Sequence, residues 1–284
     1  MVVRKLMMIL YRCLWLAFAT LIVAELFGMI FLGQWIFAPA ALAILIAITI
    51  GRFNAAVAKS RRTPVEIEPP ISGRWTALNS PATRIPSHGV HAYAQTHAID
   101  VVAESETLPR PRFTNLWPLV RRNALYPAFG APLTAVADAT VVRATDVQRD
   151  HLTRTSYPAL MYMLLVEASV RDIFGGSRVV GNHVILDLGN GIFALYGHVQ
   201  QGSLMVNEGD KVQAGQPLAR CGNSGNSTEA HLHFQLMDGP DLDVARGIPF
   251  TWRGIGIPAN NETFTAHHDD PNLSKQPENA KENL

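Results

Sequence analysis

Three histidines stand where strand alternation directs them to one polar surface or its rim: His198 in the run LYGHV, then His231 and His233 in HLHFQ. Successive strand residues point to opposite faces, so His231, His233 and Gln235 share one face while Leu232, Phe234 and Leu236 enter the core. Neutral imidazole is the commonest side-chain metal ligand, and two rings at i and i+2 come within reach of one centre. One can grip an ion while the other hydrogen-bonds a reacting group. A hydrolytic zinc site needs a few protein ligands and an open position for water, whose pKa then falls to about 7. A further donor must therefore come from elsewhere, and HAIDVV offers His97 and Asp100 at the start of a β-branched run. The two cysteines, Cys13 and Cys221, have no zinc-finger spacing and are too few for a disulfide framework.

Short strands must carry these side chains. HVILDL (183–188) and IFALYGHV (192–199) flank Gly189-Asn190-Gly191, and Asn-Gly between two such runs is a strong hairpin signal. APLTAVADATVVRA and SLMVNEGDKVQAGQPLARCG add further strands punctuated by Gly, Asp and Pro. Residues 157–171 (YPALMYMLLVEASVR) read equally as a helix or a hairpin. The glycines of GNSGNST are turn positions that permit positive φ and close backbone approach. Cys221 reads as a small core residue.

Composition sets the frame. Charged residues make up 17% of the 284, against about a quarter in an ordinary soluble domain, so part of the chain must sit in lipid or in a large core. With 24 basic and 23 acidic residues there is no field suited to nucleic acid, and that partner is excluded. From Cys13 to Gly51 the only charged side chain is Glu25. About 20 apolar residues cross a bilayer, so this block suits two helices broken at Gly33-Gln34, with a signal peptide as the weaker reading. The expected organisation is a membrane hairpin over 1–51, a linker over 52–72, one mainly β domain over 73–259 and a disordered tail over 260–284. Basic residues flank the apolar block on both sides, Arg4, Lys5 and Arg12 before it and Arg52, Lys59, Arg61 and Arg62 after it, which places both flanks in the cytoplasm.

The upstream HAIDVV strand, the Tyr-Gly-His strand end, the GDKVQAGQ turn and the GNSGNSTEAHLHF run recur in this order. The stretch from about Ala131 to Leu236 thereby resembles the lysostaphin-like or LytM-type zinc metallopeptidases of peptidoglycan. The resemblance implies a compact antiparallel β fold with a groove, a Zn²⁺ cofactor, and hydrolysis of cell-wall peptide by a domain outside the cytoplasm, against the vote of the basic flanks. It implies Asp100 and His233 as zinc ligands, with His198 and His231 outside the metal shell to move protons and stabilise the oxyanion. The family pattern of His, three residues and Asp is broken here, because Thr96 occupies the histidine position. His91 and His97 are equal candidates for the third ligand, with His88 behind them. The partners expected are a peptidoglycan peptide and, through the hairpin, a lipid bilayer. The alternative is a degenerate domain that binds cell-wall peptide or regulates a partner amidase.

Overall fold

A computed structural model describes residues 2–58 and 63–267. The apolar block forms two packed helices, α1 (Val2–Leu26) and α2 (Ala38–Ala58). Both contain stretches long and apolar enough to cross a membrane, by length and composition. The break comes earlier than Gly33-Gln34. Gly28 at φ +69° closes α1, its amide donating to the Glu25 carbonyl at 3.0 Å, and a 3₁₀ turn (Gly33–Phe37) leads into α2. The expected linker is also shorter, since α2 runs to Ala58 and β1 (Val65–Ile67) has already formed before residue 72.

The rest is mainly β, as expected. In chain order it comprises β2 (Gly73–Asn79), β3 (Ile99–Ala103), β4 (Pro132–Thr134), β5 (Ala139–Thr145), α3 (Tyr157–Tyr162), α4 (Ala168–Ile173), α5 (Gly176–Val179), β6 (His183–Asp187) and β7 (Phe193–Gly197). There follow β8 (Lys211–Val212), β9 (Pro217–Arg220), β10 (Leu232–Met237), β11 (Gly247–Ile248), β12 (Phe250–Trp252) and β13 (Thr263–Ala266). Nine strands make one antiparallel sheet in the order β13-β2-β3-β10-β7-β6-β5-β8, with β11 also paired to β10. β1 pairs with β12 and β4 with β9 in two small flanking ladders. The ambiguous 157–171 segment is helical, α3 and α4 being joined through a π turn (Met163–Glu167). The expected tail boundary moves too: Thr263–Ala266 form the sheet edge, and residues 268–284 lie outside the described residues.

Alternation on β10 works as read. Phe234 sits in the main core, edge-on to Tyr196 and Phe250 at centroid distances of 5.3 and 5.2 Å. The opposite face of β10 is covered as well, which buries His233 and Gln235 completely. Two glycines of the GNSGNST run have steric duties. Gly225 has φ +71° and lies so close to Gly181 that a Cβ would collide with its backbone, and a Cβ on Gly222 would strike the Gln200 backbone. Gly239, by contrast, faces open space. Gly225→Ala is expected to destabilise the protein by about 2 kcal/mol or more, strain and overlap acting together. Gly239→Ala should be close to neutral. Thermal unfolding of the full chain in detergent compares them, and equal melting temperatures would contradict this account.

Candidate metal centre

Strand pairing places the first two donors. Asp100 on β3 and His233 on β10 are direct cross-strand partners, and Gly197 on β7 faces His233 from the other side. A Cβ on Gly197 would lie 3.3 Å from the His233 Cβ, so glycine there makes room for the imidazole. The next residue, His198, leaves the ladder in the left-handed region at φ +58°. Its amide donates to the Val180 carbonyl, its carbonyl accepts from the Gly222 amide, and its Nδ1 donates to the Ser224 carbonyl at 2.7 Å. The ring then stacks at a tilt against His231, with centroids 4.6 Å apart.

Asp100 is the hub. Its Oδ2 is 2.8 Å from His88 Nε2 and accepts from Asn79 Nδ2 at 2.9 Å, while its Oδ1 is 2.8 Å from His233 Nδ1 and 3.5 Å from His231 Nε2. Burial alone would raise the carboxyl pKa, yet the surrounding imidazoles, His88 first, hold it well below the ordinary value. Burial drives the His198 pKa well down, reinforced by His231 and His233. Burial likewise lowers His233 despite its contact with Asp100. At His231, burial opposes the charged form but Asp100 outweighs it and raises the pKa.

The donor chemistry fits a divalent cation. The Gln235 amide nitrogen donates to the Tyr93 carbonyl at 2.8 Å, which turns its oxygen toward His233 Nε2 at 3.1 Å. His233 therefore carries its proton on Nε2 and, when neutral, aims the Nδ1 lone pair at a carboxylate oxygen. Two acceptors at that distance need a proton or a cation between them. One ligand atom each from His88, Asp100 and His233 lies within 4.8 Å of the others, a spacing that one ion bridges. Gln235 would then be the outer hydrogen-bond partner that fixes the imidazole.

The residue beside Asp100 and His233 is His88 rather than either of the two histidines ranked ahead of it. Among the described residues, neither His91 nor His97 joins this group. His91 Nδ1 is bonded to Thr96 Oγ1 at 2.9 Å, and His97, beside His91, ends a 3₁₀ turn (Ala92–His97) before β3 begins. Tyr93 and Ala94 take positive φ within that turn and curl the chain back, so that Ser87 N reaches the Thr96 carbonyl at 3.3 Å and Ser87 Oγ the Gln95 carbonyl at 3.2 Å. The returned loop delivers His88, with Ser87 Oγ 3.0 Å from its Nδ1. Asn79 escaped the sequence reading altogether. Gln235 was visible on the face of His231 and His233, but not as a tautomer-setting partner.

The cluster opens into a groove of about 660 Å³. Its floor holds His88, Asp100, His198, His231 and His233, and its walls include Tyr11 and Trp15 of α1 with Met163 and Ala168 of the 157–173 helix. Metal analysis of purified full-length variants discriminates the candidate donors. About one zinc per chain is expected in the parent and in His91→Ala and His97→Ala, with loss from His88→Ala, Asp100→Ala and His233→Ala. Retention by His88→Ala together with loss from His91→Ala or His97→Ala would overturn the assignment.

Residues 165–244 match the family model described as Peptidase family M23. That span contains His198, His231 and His233, while His88 and Asp100 come from upstream through the β3–β10 pairing. Peptidoglycan DD-endopeptidase ShyA of Vibrio cholerae is 33% identical over 78 residues, covering 28% of this chain and 16% of that protein. Endolysin 2638A of Staphylococcus phage 2638A is 34% identical over 97 residues, covering 33% and 18%. The chain thus aligns with less than a fifth of either relative's length. Among solved structures, the catalytic domain of the antimicrobial peptidase lysostaphin from Staphylococcus simulans is 20% identical, covers 62% of this chain and 88% of that one, and has a TM-score of 0.32. A putative peptidase M23 from Pseudomonas aeruginosa is 16% identical over 71% and 59% of the two chains, also with a TM-score of 0.32. The chain contains a Peptidase family M23 domain.

Proposed function

We propose that this chain is a zinc-dependent endopeptidase that cuts peptide bonds in peptidoglycan from a membrane anchor, its α1–α2 hairpin. Peptidases of this family hydrolyse such bonds. The observation that carries the reading is the convergence of His88 and His233 on the buried Asp100, with His198 and His231 beside them. A non-catalytic reading requires a missing third donor, and His88 supplies a candidate. A partner amidase belongs only to that alternative.

His88, Asp100 and His233 would hold the ion. When bound, zinc supplies a Lewis acid that polarises a peptide carbonyl and makes a water acidic enough to attack at neutral pH. His198 and His231 each spend Nδ1 on a backbone carbonyl, Ser224 at 2.7 Å and Glu229 at 2.8 Å, so each neutral ring keeps a lone pair on Nε2. One Nε2 accepts the proton released on attack and returns it to the leaving amine. The other, once protonated, donates to the developing oxyanion. The groove walls exclude bulk water and hold an extended peptide across the floor.

The hairpin supports anchoring, with an even number of crossings keeping the N-terminus and the M23 domain on one side. Two of the basic residues that argue for a cytoplasmic domain are spoken for in the fold: Lys5 Nζ meets Asp241 at 2.7 Å and Arg12 Nη1 meets Asp243 at 2.8 Å. Their pairing with aspartates weakens the charge argument against a domain outside the cytoplasm. Activity tests the chemistry. His198→Ala and His231→Ala should keep zinc but lose roughly 10²- to 10⁴-fold in kcat on purified peptidoglycan, read as peptides released and identified by mass spectrometry. Full activity in both variants, or no release by the zinc-loaded parent, would defeat the proposal.

A further inference from the structure

The hairpin is not the sole apolar surface left uncovered. The helical segment 157–174 turns Met161, Tyr162, Leu165, Val170 and Phe174 outward, with Leu165 67% and Phe174 69% exposed. Beside it, the loop over residues 113–120 exposes Leu116 and Trp117, the latter by 77%. The two segments form one patch. Phe113 packs edge-on against Tyr157 at 5.0 Å, and Thr114 pairs with Ser156 in a β-bridge. Single exposed apolar residues need no explanation, but a contiguous patch marks a contact surface.

Two observations choose the occupant. The first is level. Tyr11 Oη donates to Asp172 Oδ2 at 2.8 Å and Arg12 Nε to the Asp172 carbonyl at 3.2 Å. Arg12 is the last charged residue before α1 turns apolar as far as Glu25. The helix bearing the patch is therefore fastened to α1 at the last charge before its apolar run, and the patch continues the apolar surface of the hairpin. The second is charge. Arg112 and Arg122 are exposed at its rim, no acidic residue lies between them in the chain, and Glu167 is neutralised by Arg154 at 2.8 Å and Arg171 at 3.6 Å. Aromatic and aliphatic side chains ringed by arginines suit the boundary between acyl chains and anionic headgroups.

We propose that the outward face of residues 157–174, together with the 113–120 loop, lies in the bilayer surface and seats the M23 domain on lipid. This rests on the membrane anchoring proposed above. Because Met163 and Ala168 on the same helix wall the groove along with Tyr11 and Trp15, the groove then opens at headgroup level. Its substrates are peptides held close to the membrane rather than deep in the wall.

Site-directed spin labelling of the full chain tests this. Nitroxides at Leu165→Cys, Ile44→Cys and Gln213→Cys, each in a Cys13→Ser background that leaves only the buried Cys221, are compared in vesicles of phosphatidylethanolamine and phosphatidylglycerol. Relaxation by oxygen and by a charged nickel chelate reads depth. The oxygen-to-nickel ratio at 165 should fall between those at 44 and 213 and exceed the latter by roughly twofold or more, because the acyl region excludes charge that the headgroup region admits in part. A ratio at 165 equal to that at 213, with 44 in lipid, overturns the platform and leaves the anchor standing. Aqueous values at both 165 and 44 overturn both. Shielding of 165 from both reagents, with broadening that grows with protein concentration, assigns the patch to a second copy and also overturns the proposal.

Discussion

A carboxylate sealed inside a protein is tolerable only if positive charge or strong donors surround it, and Asp100 is the point at which this chain meets that demand. Three imidazoles and the Asn79 amide converge on its two oxygens. The arrangement draws on β2, β3, β10 and the 80–91 loop at once, so no local piece of sequence can make it. His233, polarised by Gln235 to keep its Nδ1 lone pair free, and His88, brought by the returning loop, turn a buried anion into a candidate cation cage. The adjoining His198 and His231 lie outside the three-donor group, each ring held to a backbone carbonyl through Nδ1.

Close approach is what the glycines supply. Gly197 clears the space over His233, and the Gly181–Gly225 contact locks the segment that carries Ser224 against residues 179–181, whose Val180 carbonyl accepts from the His198 amide. A methyl group at either place moves a backbone that positions His198. The conformational strain of His198 itself, at positive φ, is held by hydrogen bonds on both sides of the residue. Rigid sheet beneath and constrained loops above give a floor whose imidazoles need little reorganisation on meeting a ligand.

The strands that hold His198, His231 and His233 were legible because their signals are local: alternation over 183–188, 192–199 and 231–237, and a Gly-Asn-Gly turn between the first two. What failed to show were features decided by distant partners. Thr263–Ala266 are a strand only because β2 is there to pair with them, and their surroundings read as a polar tail. The 157–173 helix is capped by Ser156, yet its outward face is apolar, so periodicity alone could not identify it. Eleven residues separate His88 from Asp100 where the family pattern has three, and the fold-back through Ser87 and Thr96 that cancels this distance leaves no periodic trace.

The central claim is that two imidazoles and the Asp100 carboxylate hold one ion, and X-ray absorption at the zinc edge of the full chain addresses it most directly. The account predicts a shell of nitrogen and oxygen at about 2.0–2.2 Å containing two imidazoles, reduced to one in His88→Ala or no metal retained by that variant. A sulfur shell at about 2.3 Å, a single imidazole in the parent, or an unchanged spectrum in His88→Ala would contradict it.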